Sequence, residues 1–597
     1  MTSDLIIGMA GSGGDGIVSA GDALMSAAGR QGYHGLLTKS FGPQIRGGES
    51  SCRLRLSTDP ILSMGGNLDV AVALNWEDFL KFGGELPVGG ETTVVYEAAT
   101  GVAPDHLPLP AVTPREAIPL AIGEMAREAA GTERAKNSVV LGVLSSWTGM
   151  DQESILAGIR KRFAKKSPEV VEANERAFAA GVSWARDHPL GTDRTLEPAK
   201  GPGTKKITVD GNEICAAGAL FAGCEFFGGY PITPSSEIMH FLGREIWKYG
   251  GTMIQAEDEI AGIGAVVGAS FAGKKAMTAT SGPGMSLKTE MLGLATIAEL
   301  PLVCVNVQRG GPSTGIPTKS EQSDLFQACF SAHGDTVRPV LAPISVKDTF
   351  YLTVEAFNIA EEYQTPVILL SDQEIAQRKE TLILPDTSGI EVKERRKPTE
   401  SELQEYKRFR ITDSGVSPIS QPGMEGGNYL ASGIEHTESG APTASGEAHA
   451  RMNKKRIDKL NPLKRRQDLF LIEGDPRAPI ALVAWGSVAG VVREALGIVV
   501  EKGIKAKLLV PKLLYPVAEE IYKEFFHGVK GGLVVEQSHQ GQLFRLIRMF
   551  VDVPPNVWSF RRSGSNPILP GAVRGRLERL ILELQQKQVP EAQQADG

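Results

Sequence analysis

Through the middle of the chain, apolar runs four to six residues long alternate with stretches whose apolar residues recur at helical spacing, and this alternation leaves few folds open. It predicts a helix over 212–227, strands at 253–256, 276–280 and 302–307, helices over 259–271 and 286–299 between them, and a last strand at 365–372. Runs that are apolar at every position suit strands buried on both faces, and the helices between them supply crossovers, so a parallel sheet covered by helices is expected. Both ends of the chain repeat the pattern. Residues 4–7, 70–74 and 92–96 read as strands, with a helix over 17–29 and a helical stretch over 153–187; residues 480–484, 507–510 and 532–535 read as strands before a helix-rich tail. The expected fold class is therefore α/β, three α/β units in series with parallel or mostly parallel sheets.

Changes in composition mark the boundaries. The stretch HPLGTDRTLEPAKGPGTKK interrupts the first pattern, so residues 1–190 are expected to form one unit, 191–206 a linker and 207–391 a second unit. Residues 392–470 carry charge blocks and Gly, Ser and Pro, too polar to build a core of their own, and read as a connector or surface-wrapping arm before a third unit at 471–597. The basic stretch RMNKKRIDKLNPLKRRQD within the arm reads as a solvated helix face.

With 63 Lys and Arg against 70 Asp and Glu, the net charge of −7 offers no chain-wide attraction to nucleic acid or acidic membranes. Cys52, Cys215, Cys224, Cys304 and Cys329 form no CxxC pair, so neither a disulfide framework nor a zinc or iron–sulfur ligand set is expected in this chain, and no residue is assigned to a metal. The start lacks a basic stretch followed by a long apolar core, and no later run is long enough to span a bilayer. A soluble, cytoplasmic protein is expected.

Three motifs mislead. Gly11, Gly13 and Gly16 match GxGxxG between a strand and a helix, but 23–48 contains no Asp or Glu to bind a ribose, which argues against a nicotinamide site. Gly14-Asp15-Gly16 opens a thiamine-diphosphate magnesium motif, yet no Asn lies between residues 17 and 66 to complete the oxygen ligands. The run from Gly268 to Lys275 copies Walker A spacing with Lys in place of the magnesium-binding hydroxyl, and it falls at a helix end.

Four other stretches carry more information. In GGYPITPSSEI, Thr233 and Pro234 are expected as N-cap and first residue of a helix, whose free amides and hydroxyl suit a carboxylate or phosphate. Glu257, Asp258 and Glu259 open a helix of small apolar residues, so at least one carboxylate heads toward packed surroundings, where it needs a partner. Ser281, Gly282, Pro283 and Gly284 join a strand to a helix in a turn that lets a ligand approach the backbone. Arg309 follows a buried strand at the carboxyl edge, where open α/β sheets bind ligands.

In that order and with those separations, YPITPSSE, EDEIAGIGA, TSGPG and RGGPSTGIPT resemble the alpha subunit of the 2-oxoacid:ferredoxin oxidoreductases. GSGGDGIVSAG with SFGPQIRGGESS resembles that family's gamma domain, fused here ahead of alpha, and VVEQSHQGQLFRLIR its transketolase-C-like domain. The 2-oxoglutarate branch is the most similar, through RGGPSTGIPT and the polar connector. By this resemblance, 1–190 is a gamma domain, 207–391 the thiamine-diphosphate pyrimidine-binding domain and 471–597 the transketolase-C-like domain.

The resemblance implies a role for each matching residue. Glu259 falls to the glutamate that hydrogen-bonds the cofactor's pyrimidine nitrogen, Thr233 and Arg309 to the pair that holds the oxoacid carboxylate, and Tyr230, Pro231, Ile232, Ser281, Gly282 and Pro283 to the cofactor-binding turns. Arg46 is expected to read a distal carboxylate or a phosphate of coenzyme A, the co-substrate. A separate beta subunit is implied to supply the diphosphate and Mg2+ site and a [4Fe-4S] cluster in an (alpha-beta)2 heterotetramer that passes electrons to ferredoxin. Reversibility would open the route to CO2 fixation in a reductive TCA cycle. The alternatives are the same chemistry on pyruvate or another 2-oxoacid, a non-catalytic coenzyme A- or dinucleotide-binding accessory subunit, and a non-redox transketolase-like enzyme.

Overall fold

Strand Asp4–Gly11 shows how the first sheet is covered: Leu5, Ile7 and Met9 enter one apolar core while Ile6 and Ala10 enter another, so helices pack on both faces. The computed structural model describes residues 1–42, 48–109, 112–201, 206–564 and 566–588. They divide into one unit of Met1–Asp210 with Gln377–Leu384 and another of Gly211–Ala376 with Pro385–Gly597.

The first unit holds an eight-stranded sheet in the order Glu116–Leu120, Thr93–Glu97, Val70–Ala73, Asp4–Gly11, Ser50–Ser57, His34–Phe41, Lys379–Leu382 and Ile207–Asp210. The first four strands are parallel, and the remaining ladders are antiparallel. The antiparallel half arises because His34–Phe41 and Ser50–Ser57 are close in sequence and pair without a crossover. Its last two strands come from residues expected in the second unit, since pairing covers an edge wherever the partner lies in sequence.

A seven-stranded sheet in the second unit runs Leu513–Tyr515, Val340–Leu341, Pro366–Asp372, Leu302–Gln308, Ala276–Thr280, Phe226–Gly229 and Thr252–Gln255, parallel except at Leu513–Tyr515. The helix expected over 212–227 ends earlier, as Gly211–Phe221, and Phe226–Gly229 is a strand instead. Two apolar residues before a glycine pair are too short a run to announce it. The third sheet orders Phe470–Gly474, Ala506–Pro511, Ile480–Ala484, Gly531–Glu536 and Val557–Arg561, antiparallel only at its first pair. Leu513–Tyr515 ties this part of the chain to the seven-stranded sheet. No described helix is long and apolar enough to cross a membrane.

The polar arm has little regular structure but is tightly docked. Arg395 forms a buried pair with Glu361 and donates to the carbonyls of Ser270 (2.7 Å) and Lys274 (2.9 Å), at the C-terminal end of helix Glu259–Phe271. Arg408 is fully buried and donates to the Glu299 carbonyl (2.6 Å), just past helix Gly282–Ile297. Cations at helix C-termini satisfy orphan carbonyls and oppose the helix dipole. The basic stretch corrects its expectation: Lys455 and Lys459 are buried, and both ammonium groups pair with the Glu299 carboxylate. Lys275, the decoy Walker lysine, donates to the carbonyls of Ala222 and Lys393 and pairs with Glu394.

Burial pushes the Glu299 carboxyl up, but Lys459, Lys455 and Arg408 together overcome that and hold it well below the ordinary range. Its stabilising contribution is thus present above the ordinary glutamate value of 4.5 and lost as pH falls through the lowered one. Replacing Glu299 with Gln strands two buried ammonium groups and is expected to cost about 3–5 kcal/mol in urea unfolding. The variant should also lack this acid-dependent component and be cut earlier by protease within the arm.

Candidate functional site

Strands Phe226–Gly229, Ala276–Thr280 and Leu302–Gln308 run parallel, so the turns after them share the carboxyl edge of the sheet. The three turns carry YPITP, SGPG and the arginine loop. Such an edge is where open α/β sheets receive ligands.

Asp258 caps helix Glu259–Phe271, its side chain accepting from Ala261 N at 2.7 Å. That cap settles which acid turns inward: Glu259 is 8% exposed, while Glu257 and Asp258 face solvent. The helix lies close to the sheet because Gly262 packs on Gly229; a Cβ on Gly262 would stand 3.2 Å from the Gly229 Cα. Behind Glu259, the fully buried Lys288 donates from Nζ to its backbone carbonyl at 3.0 Å.

Gly284 keeps the space that the carboxylate uses. A Cβ there would lie 2.2 Å from Thr280 Oγ1, 2.7 Å from Glu259 Cγ and 2.8 Å from Glu259 Oε1. Nearby, Ser281 is fully buried with no hydrogen-bond partner for its Oγ, and Gly282 and Pro283 are half-buried.

Thr233 is not the N-cap that its sequence context implies. Ser235 folds back, N to Ile232 O at 2.9 Å, so the helix begins at Ser236, and Thr233 and Pro234 form a turn ahead of it. The turn meets the arginine loop directly: Arg309, 6% exposed, donates from Nη1 to the Thr233 carbonyl at 2.6 Å, and its buried Nε has no partner. Tyr230 is exposed, and Pro231 and Ile232 are half-buried. Arg46 lies outside the described residues.

Five polar residues at the site were not singled out from sequence. Asp324 stands at the N-cap of helix Leu325–Phe330, yet its side chain makes no cap bond and instead accepts from Asn306 Nδ2 at 3.0 Å. Its Oδ2 lies 3.2 Å from where a Cβ on Gly282 would be, which puts the carboxylate at the start of helix Gly282–Ile297. The loop before it is held by glutamines. Gln322 N donates to Gln537 O (2.7 Å), Gln537 N donates to Gln322 Oε1 (3.0 Å), and Gln322 Nε2 reaches Trp485 O (2.8 Å). Gln542 donates to Ser323 O (2.7 Å) and accepts from Phe326 N (2.9 Å). An Asp before an apolar run signals only a helix cap, and nothing local ties Gln322 to Gln537, or Ser323 to Gln542, each more than 200 residues away.

The structure thus joins Thr233 to Arg309, and Glu259 to the turn at Thr280–Gly284. Substituting Gly284 with Ala should push the Glu259 carboxylate aside. The expected result is a Glu259 carboxylate displaced from the Thr280–Gly284 turn in a crystal structure of the variant, with an unchanged circular-dichroism spectrum.

Residues 217–455 match the family model described as "Pyruvate flavodoxin/ferredoxin oxidoreductase, thiamine diP-bdg", and residues 6–184 match "Pyruvate ferredoxin/flavodoxin oxidoreductase". The chain is 34% identical over 578 residues to 2-oxoglutarate oxidoreductase subunit KorA of Mycobacterium tuberculosis, covering 91% of this chain and 87% of that one. It is 30% identical over 634 residues to the alpha subunit of 2-oxoacid:ferredoxin oxidoreductase 2 of Aeropyrum pernix, covering 97% of each. Among solved structures, the 2-oxoglutarate:ferredoxin oxidoreductase of Magnetococcus marinus, with 2-oxoglutarate, coenzyme A and succinyl-CoA bound, superposes with a TM-score of 0.90 at 36% identity, over 97% of this chain and 100% of that one.

Proposed function

This chain belongs to the alpha subunits of the 2-oxoacid:ferredoxin oxidoreductases, and from that premise we propose that it is the alpha subunit, with a fused gamma domain, of a 2-oxoglutarate:ferredoxin oxidoreductase. The reaction is the reversible, coenzyme A-dependent oxidative decarboxylation of 2-oxoglutarate to succinyl-CoA and CO2, with two electrons passed to ferredoxin. Relatives and a solved structure named for 2-oxoglutarate support the substrate. The observation that carries the site is the buried Glu259 carboxylate lying over a glycine turn at the same sheet edge that delivers the Thr233–Arg309 contact.

The residues fit the pyrimidine end of thiamine diphosphate, since the cradle at Gly284 is one that any Cβ would fill. Thiamine diphosphate supplies, when bound, the nucleophilic carbon and the electron sink for decarboxylation. Glu259 would hold a proton between its carboxyl oxygen and the pyrimidine ring nitrogen, with Tyr230, Pro231, Ile232, Ser281, Gly282 and Pro283 forming the walls. Arg309 would take the oxoacid carboxylate through its planar, permanently charged fork, and Thr233 would add one directional hydrogen bond. Arg46 is assigned to the distal carboxylate or a coenzyme A phosphate.

Other components belong to partners in this reading. Asp15, in the Gly-Asp-Gly decoy, already accepts from Ser12 N at 2.9 Å, so the Mg2+ and diphosphate are assigned to a beta subunit together with the [4Fe-4S] cluster. Exposed Tyr230, Ile254, Ile260 and Leu287 stand on the elements that carry or adjoin the site, which supports covering by a second chain. An (alpha-beta)2 assembly in the cytoplasm, reducing ferredoxin or running toward CO2 fixation, completes the proposal.

Co-purification with the beta chain, followed by a panel of 2-oxoacids with coenzyme A and a viologen acceptor, tests the reading. Preference for 2-oxoglutarate is expected, and preference for pyruvate overturns the substrate assignment. Glu259→Gln should lower kcat by roughly a hundredfold or more. Arg309→Ala should raise the KM for the oxoacid by roughly thirtyfold or more.

A further inference from the structure

Helix Gly282–Ile297 buries Gly284, Met285, Lys288, Leu292, Ala295 and Thr296, and Lys288 is the one charge in this row of small and apolar residues. Lys288 is fully buried, and among the described residues its ammonium makes no ion pair and one hydrogen bond, from Nζ to the Glu259 carbonyl at 3.0 Å. Taking an ammonium out of water carries a large desolvation cost that a single carbonyl does not repay. Methionine would fill most of the same space without that cost, so stability alone gives no reason for a lysine here.

What the lysine holds supplies one. Gly284 and Lys288 are four residues apart and share a face of their helix, and a helical side chain leans toward the start of its own helix. Glu259 meets that face twice. A Cβ on Gly284 would stand 2.7 Å from Glu259 Cγ and 2.8 Å from its Oε1, so the carboxyl end lies over the glycine, while Lys288, one turn on, holds the carbonyl end. Asp258 fixes the same turn from outside, accepting from Ala261 N at 2.7 Å. The first residue of a helix has no preceding turn to hold its amide, so its direction is set by its cap and by whatever holds its carbonyl.

We infer that Lys288 is a positioning residue for Glu259: its ammonium pins the backbone of the first turn, so that the carboxyl stays over Gly284 and is presented to the cofactor from a fixed height. This rests on Glu259 as the carboxyl that meets the pyrimidine ring. Lys288 touches neither cofactor nor oxoacid and acts through Glu259 alone. A carboxyl that drifts loses the geometry on which proton transfer depends, and a misplacement of about 1 Å is enough to cost on the order of a hundredfold in rate. The lysine is kept for turnover, and removing its charge relieves the fold while slowing the enzyme.

The test is a double-mutant cycle in the intact complex, with kcat and the KM for 2-oxoglutarate measured at saturating thiamine diphosphate, coenzyme A and viologen, and thermal unfolding followed alongside. Lys288→Met, which fills most of the space and removes the donor, should lower kcat by roughly tenfold to a hundredfold. KM should stay unchanged, because Arg309 is untouched, and the unfolding midpoint should stay level or rise. In the Glu259→Gln background the same substitution should cost no further kcat, because the group it positions is already gone. Lys288→Gln, too short to hold the carbonyl where it is, should show the same pattern and carries the cycle alone if the methionine variant does not assemble. Wild-type kcat in the lysine variants, losses that multiply in the double variant, or a kcat that falls only in proportion to the folded enzyme overturns the inference. Glu259→Gln by itself separates the two readings: wild-type turnover there removes the role assigned to Glu259, whereas a loss there with wild-type turnover in the lysine variants removes the role of Lys288 alone.

Discussion

Two helices set the site, and each is held at both ends. Helices Glu259–Phe271 and Gly282–Ile297 start at the carboxyl edge of the seven-stranded sheet, and their far ends are met by buried cations of the arm. A helix end buried without partners leaves several carbonyls unsatisfied. Arg395 and Arg408 answer that need; Glu361 pairs with Arg395, and Glu299 takes the two arm lysines, Lys455 and Lys459. A first-turn residue such as Glu259 inherits this rigidity. The arm, polar as it is, has no use for a core of its own: it docks by satisfying groups that another domain leaves open.

The Arg309 side of the site is fixed by a different part of the chain. After Arg309, a loop whose Gly311–Ile316 segment is exposed returns to the fold at 318–326, where Gln322, Gln537 and Gln542 exchange backbone and amide hydrogen bonds across the junction with the C-terminal sheet. Amides suit this because each offers both donor and acceptor and carries no charge that burial would penalise. The C-terminal sheet thus holds the segment that carries Asp324 against the start of helix Gly282–Ile297.

Glu259, with its carboxylate beside Gly284, and Arg309, with a buried unpartnered Nε, are delivered by different turns of the same sheet edge. A proton-holding carboxyl at one end and a fixed positive fork at the other is the arrangement an enzyme needs to grip an anion while it manages protons beside it.

Local sequence was enough for the strand–helix alternation, for the motif turns at the sheet edge and for the set of candidate acids at 257–259, because buried periodicity and turn chemistry are properties of neighbouring residues. Other features depended on residues far apart in the chain. The resemblance had already singled out Glu259, but its inward turn depends on the Asp258 cap and the packing of Gly262 on Gly229; the docking of Lys455 and Lys459 required Glu299; the place of Asp324 required Asn306 and distant glutamines. A charged or amide side chain has the same local pattern whether it faces water or a buried partner, and only the folded chain brings that partner within hydrogen-bonding reach.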